Sequence, residues 1–265
     1  MTANVIVMAS DGSALADRGT QLEPMLRRYT VLIEDQTGLR VRVLPLDADL
    51  HAEIHDLGGD VGALFLPHVR PEVANAARTV SLPVLTSVDT TAIALTAAVW
   101  NTLSRAGRRP AVGRVVIVGA DTMPVLCQLL MVAGIGEITV WKPDDAITFP
   151  LRRVTAGVDV VIDLRTTAAG LEALAPEVQP VVIIPDNARD PLLALPGLLR
   201  ALTRVPGARL DVEVHHACAL ALVMATRPDD LVPARPDHIL TAQVTDAATR
   251  TLLELARRPS DTTFG

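Results

Sequence analysis

Apolar residues in this chain gather in short unbroken blocks separated by longer mixed stretches. The blocks "VIVM", "VRVL", "ALFL" and "PVL" predict strands over Val5–Met8, Val41–Leu44, Ala63–Leu66 and Pro83–Leu85. Between them lie weaker helical patterns, over Leu22–Arg28, Ala48–Asp56 and Arg70–Ala77. The stretch from Thr90 to Gly107 starts at a threonine cap, keeps an apolar helical period and stops at glycine, which predicts a long helix. After it, "RVVIVG", "EITVW", "VDVVIDL" and "PVVIIP" have the apolar runs of strands buried on both faces, with "PVLCQLLMVAG" as the helix after the first. The tail holds a short apolar segment "LLALPGLLRAL", a helix "LDVEVHHACALALVMATR", a proline-rich loop "LVPARPDH" and a final amphipathic helix "TDAATRTLLELARR". Strands alternating with helices predict an α/β protein with parallel sheets. The expected division is a small α/β lobe over residues 1–88 and a Rossmann-like, doubly wound domain with C-terminal helices over residues 89–265.

Composition narrows the function classes. A net charge of −6 repels nucleic acid, and aromatic residues make up only 2%, too few for base-stacking platforms. The N-terminus lacks a basic start and a long apolar core, and no apolar run reaches membrane-spanning length, so the expectation is a soluble cytoplasmic protein. Cys127 and Cys218 sit in apolar runs without a CxxC or histidine neighbourhood, which reads as packing in a reducing compartment. Lys142 is the single lysine among 24 basic residues, so any chemistry that needs an amine depends on it.

The segment "VGRVVIVGADTMPVLCQLL" opens as a dinucleotide-binding strand and turn would. A GxGxxG turn then requires two further glycines, and their places are taken by Asp121 and Pro124. Gly119 keeps the tight turn, Asp121 sets bulk and negative charge against a diphosphate, and Pro124 lacks an N–H donor. Beyond the next strand, where an acid would hold the ribose hydroxyls, stands Lys142, which suits a 2′-phosphate and is the one feature favouring NADP.

Three stretches carry a family likeness. "SLPVLTSVDTTAIALTAAVWNTLSRAGRRP" resembles the malic-enzyme segment "PVFHDDQHGTAI" and the long helix it opens. "ALPGLLRALTRVPGARLDVEVHHACALALV" is similar to the family's "FPGIFRGAL" region and its following helix, and "VMASDGSALADRG" to "VTDGSAVLGLGDIG". The likeness starts partway into the family's first domain, without the part that brings a catalytic tyrosine. It implies a malic-enzyme-like pair of lobes, and most of the family's working residues are replaced. Tyr29, in "PMLRRYT", stands where the family's acid–base lysine follows "PVMEGKA". Pro67 and His68, in "GALFLPH", stand where "GINLED" supplies two metal carboxylates. "TSVDTT" is one residue shorter than "HDDQHGT" and leaves Asp89 as the nearby acid. One carboxylate and one imidazole make a poor cage for magnesium or manganese, so no metal is expected. In "IIPDNARDP", Asp186 and Asn187 lie in the region of the family's substrate-holding asparagines, and Pro191 takes the second asparagine position.

The resemblance and its gaps together imply a malic-enzyme-like protein without malic enzyme activity. It would bind a mostly apolar small molecule between the lobes and carry out a non-redox step in specialised metabolism, a cyclisation or isomerisation. Tyr29, His68 and Asp89 are the proton-transfer candidates, and Arg28, Asp186 and Asn187 the ligand contacts. Gly119 and Lys142 are a vestigial cofactor site, and no cofactor is expected, NADP being disfavoured. Two alternatives stay open, a regulatory or structural pseudoenzyme and a residual NADP-dependent oxidoreductase. A homodimer is expected, because a first lobe lacking its N-terminal part leaves edges and apolar patches to cover. His51 and His55 share one helix face with zinc-pair spacing but lack an HExxH glutamate, and read as a polar face. His215 and His216 are adjacent and point to different sides of a helix.

Overall fold

The computed structural model describes residues 4–15, 18–45, 60–165, 180–186 and 189–258. In chain order the elements are β1 (Val5–Ser10), α1 (Arg18–Thr37), β2 (Arg40–Pro45), β3 (Val61–Leu66), α2 (Pro71–Ala77), β4 (Val84–Thr86) and α3 (Ser87–Arg105). They continue with β5 (Arg114–Val118), α4 (Pro124–Val132), β6 (Glu137–Trp141), α5 (Leu151–Val154), β7 (Val160–Asp163), β8 (Val181–Ile183), α6 (Asp190–Arg204), α7 (Val212–Ala225) and α8 (His238–Arg257). The described strands form two parallel four-stranded sheets, in the orders β2-β1-β3-β4 and β6-β5-β7-β8. Each sheet has one switch point, between β1 and β3 in the first and between β5 and β7 in the second. In open α/β sheets the crevice beyond the carboxyl ends of such a strand pair is where ligands sit.

α3 joins the two halves. It follows β4 without a loop, 14 of its 19 residues are buried, and its apolar side chains belong to one core with Ile6 and Phe65 of the first sheet and Ile117 and Ile162 of the second. The residue 88/89 boundary therefore falls in the first turn of a helix that both halves pack against. Smaller apolar clusters cover the other face of each sheet, around Val7 and Leu64 and around Val116 and Val161.

Several elements differ from the sequence expectation. α1 runs over 20 residues with Pro24 inside it, well past Leu22–Arg28, because Tyr29 and Ile33 anchor its later turns in the core. α3 begins at Ser87, three residues before the expected Thr90. Thr86 and Asp89 form a reciprocal capping box that fixes the earlier start. The segment "LLALPGLLRAL" lies in a 15-residue helix, α6, whose internal Pro196 is buried. α8 starts at His238, capped by Asp237 on the Leu240 amide at 2.8 Å. The helix expected over Ala48–Asp56, with His51 and His55, lies outside the described residues.

Candidate functional site

The first switch point is built from the ends of β1 and β3. Ser10 donates from its hydroxyl to the Pro67 carbonyl at 2.6 Å and accepts from the Gly12 amide at 3.1 Å, tying the two strand ends together. The chain turns sharply at His68, whose φ of 48° is a left-handed value rare outside glycine. Its amide donates to the Ser87 hydroxyl at 2.9 Å and its carbonyl accepts from the Ala14 amide at 3.1 Å, so both sides of the strained peptide are held. The result is an imidazole whose Nε2 lies 3.2 Å from the Tyr29 hydroxyl.

Tyr29 comes from the inner face of α1, is 3% exposed, and meets the Phe65 ring edge-on at 5.1 Å. Burial pushes its phenol well above the usual range, with the Arg28 charge a smaller opposing effect. Burial also lowers the half-buried His68. Both groups are thus neutral near pH 7, and with the ring proton on Nδ1 the phenol donates to Nε2. Solvent reaches this pair through His68.

Asp89 is brought close in sequence but employed elsewhere. Its Oδ2 accepts from the Thr86 amide at 2.8 Å and hydroxyl at 2.7 Å, and Oδ1 faces the Arg78 guanidinium at 3.5 Å. Among the described residues it makes no hydrogen bond to Tyr29 or His68. Arg28 lies on the outer side of α1, along an open groove of about 770 Å³ floored by Val31, Leu32 and Leu192, with Arg235 on the facing loop. Asp186 works in the turn that starts α6. Its amide donates to Asp190 Oδ2 at 2.9 Å, and its Oδ1 accepts from the Arg189 amide at 3.2 Å. Burial raises the Asp190 carboxyl against the stabilising Asp186 amide bond. Asn187 lies outside the described residues.

At the second switch point Gly119 has φ 77° and ψ 36°, the left-handed turn that glycine allows. Its amide donates to the Trp141 carbonyl at 3.1 Å, and the Thr122 and Met123 amides donate back into the same turn. Lys142 Nζ is 3.5 Å from Asp121 Oδ1, so an ion pair bridges the loops after β5 and β6. Beside it stand residues that the sequence reading missed. Asp163, at the end of β7 and almost wholly buried, receives Arg165 through Nε at 2.9 Å and Nη2 at 2.8 Å. The Arg165 guanidinium lies 6.0 Å from the centre of the Trp141 ring. An Asp-x-Arg at a strand end was the available signal. Among the described residues no three His, Cys, Asp or Glu side chains gather as metal ligands would.

No family model matches the sequence, and no curated protein matches it. Solved structures do match. The NAD-dependent malic enzyme of Thermotoga maritima aligns with a TM-score of 0.75 at 14% identity, over 94% of this chain and 84% of that one. The malic enzyme of Pyrococcus horikoshii gives 0.76 at 15%, over 96% and 77%, and that of Entamoeba histolytica 0.78 at 15%, over 96% and 70%. The fold is that of the malic enzymes. The alignments cover nearly all of this chain, both sheets and α3 included, and they agree with the likeness read from the three sequence stretches. Among the described residues no helix is long and apolar enough to cross a membrane.

Proposed function

We propose that this chain is a non-redox small-molecule protein on the malic-enzyme fold, with His68 and Tyr29 as its acid–base pair. The observation that carries the reading is the 3.2 Å contact between these two neutral groups at a strained strand end. The resemblance sets an amine base and metal carboxylates at the same places. A phenol and an imidazole do not fit magnesium or manganese, which take hard oxygen ligands in number. The turn at Gly119 does not fit a dinucleotide either: three of its amides are engaged internally, Pro124 has none, and Asp121 repels a diphosphate while holding Lys142. What remains is proton transfer without hydride transfer, which suits a cyclisation or isomerisation of a held substrate.

The groove along α1 supports a mostly apolar ligand with an acidic group. Its floor is aliphatic; Arg28 and Arg235 form no ion pair among the described residues, Glu23 pairs with Arg27, and Asp35 also lies on the rim. The groove lies on the opposite face of α1 from Tyr29, so it is a binding surface apart from the place where the pair acts. A homodimer extends the same reading, supported by Met224 and Ile239, 83% and 71% exposed on the neighbouring helices α7 and α8. A regulatory role without catalysis is favoured by one observation, the burial of Tyr29 to 3%.

The test pairs two assays on the full chain. Malate with NAD or NADP and manganese should give no nucleotide reduction. The apolar anion 1-anilinonaphthalene-8-sulfonate should bind saturably, and Arg28→Glu together with Val31→Asp should abolish that binding. Malate-dependent reduction would overturn the non-redox reading, and probe fluorescence indifferent to both substitutions would overturn the groove.

A further inference from the structure

Three contacts trace the path of the Arg165 side chain. Asp163, at the end of β7, holds it on one side, accepting from Nε at 2.9 Å and from Nη2 at 2.8 Å. On the other side the guanidinium lies 6.0 Å from the centre of the ring of Trp141, the last residue of β6. β5 runs between these two strands, and a Cβ at Gly119, the residue after it, would lie 3.5 Å from Arg165 Cγ. The side chain therefore crosses from β7 over the Gly119 turn to β6. It fills the crevice of the second switch point, where an open parallel sheet of this kind takes its ligand.

Both ends of this path are anchored. The Asp163 side chain is 2% exposed and also accepts from the Arg165 amide at 3.1 Å, so one buried carboxylate ties down backbone and guanidinium together. Two-point pairing of this kind is the strongest arrangement an arginine makes with a carboxylate, and release would leave a buried charge without a partner. Trp141 is buried as well, and its indole N–H donates to the Phe149 carbonyl at 2.8 Å. A guanidinium and a nucleobase are both planar groups that lie over an indole face. Arg165 thus takes the volume and the ring face that a base entering the crevice would use.

We propose that Arg165 determines the specificity of the second switch point: the chain fills this crevice with its own arginine and so shuts out nucleosides as well as nucleotides. The inference rests on the reading that the protein works without a dinucleotide, and it names what stands in the place of one. Asp121 and Pro124 act on phosphate contacts alone, so a nucleoside without phosphate escapes both. Arg165 excludes that nucleoside too, by its volume and by covering Trp141.

The experiment uses the full chain with Trp100→Phe, which leaves Trp141 as the sole tryptophan. Its emission is followed with acrylamide as quencher and with adenosine as an uncharged probe. Arg165→Ala is made in this background, and Asp163→Asn/Arg165→Ala beside it, because the double substitution leaves no unpaired buried carboxylate to prevent folding. With Arg165 in place, quenching is weak and adenosine gives no saturable change. In a folded variant without the arginine, the quenching constant rises severalfold and adenosine affinity by about tenfold or more, the scale of one base–aromatic stack. A folded variant that lacks either response overturns the proposal, and so does saturable adenosine binding with Arg165 present. Malate-dependent nucleotide reduction by the parent chain would instead overturn the underlying non-redox reading, whereas the adenosine response of the variants bears on Arg165 alone.

Discussion

His68 is the residue at which local geometry and chemistry conflict most. A non-glycine residue at φ 48° stores strain that the flanking Ser87 and Ala14 contacts hold in place. Two substitutions separate the strain from the side chain's contacts. His68→Ala keeps the left-handed strain and loses the Tyr29 contact, whereas His68→Gly loses the same contact and relieves the strain. His68→Gly should therefore be the more stable variant by about 1 kcal/mol in urea unfolding; equal stabilities would show that the peptide is unstrained. Asp89 illustrates how a residue's type misleads when its backbone context is left out. As an acid near a resembled metal site it reads as chemistry, yet the Thr86-x-x-Asp89 spacing is that of a capping box. Asp89→Ala should cost about 1–2 kcal/mol through the lost cap, and a stability unchanged in denaturant would refute the capping role.

Among the elements, β5 and β7 were legible because central strands buried on both faces need continuous apolar runs, whereas the edge strands β6 and β8 turn out partly exposed despite theirs. α1 was legible only over Leu22–Arg28, and its extension to Thr37 rests on Tyr29 and Ile33 packing into the sheet. The turn at Gly119 was legible from glycine and the missing glycines after it. The Asp163–Arg165 pair was open only to the Asp-x-Arg spacing at a strand end, a spacing that does not by itself tell a bidentate pair from two solvated charges. His215 was likewise legible as a helical histidine while its burial against the first lobe was not. The contact of α6 with α8 makes a sharp prediction. A Cβ at Gly197 would lie 2.6 Å from Val244 Cβ and 2.8 Å from the Thr241 carbonyl oxygen. Gly197→Ala should cost about 1–3 kcal/mol by forcing the helices apart, and a thermal midpoint equal to the parent's would contradict that packing.

For the whole molecule, the buried histidines set the direction of acid sensitivity. Burial lowers His68, His215 and His216, so on unfolding each regains its ordinary affinity for protons. Below about pH 6.5 the unfolded state binds more protons than the folded one, and stability must fall as pH drops through that window. Asp190, raised by burial, acts with the opposite sign at lower pH, in the carboxylate range. Urea midpoints should decline on going from neutral pH to mild acid, with a shallower decline in His215→Gln; a parent profile flat over that span would contradict the burial of these rings. Solution mass tests the homodimer, for which the proposal requires twice the 28.1 kDa chain, and a monomer at micromolar concentration contradicts it.

The central claim is that a malic-enzyme fold here works without a dinucleotide, and calorimetric titration with NADP tests it most directly. The Lys142–Asp121 pair and the internally bonded Gly119 turn predict no saturable heat at sub-millimolar NADP, with or without manganese. Tight binding that disappears in Lys142→Ala would contradict the account and return the protein to dinucleotide-dependent oxidoreduction.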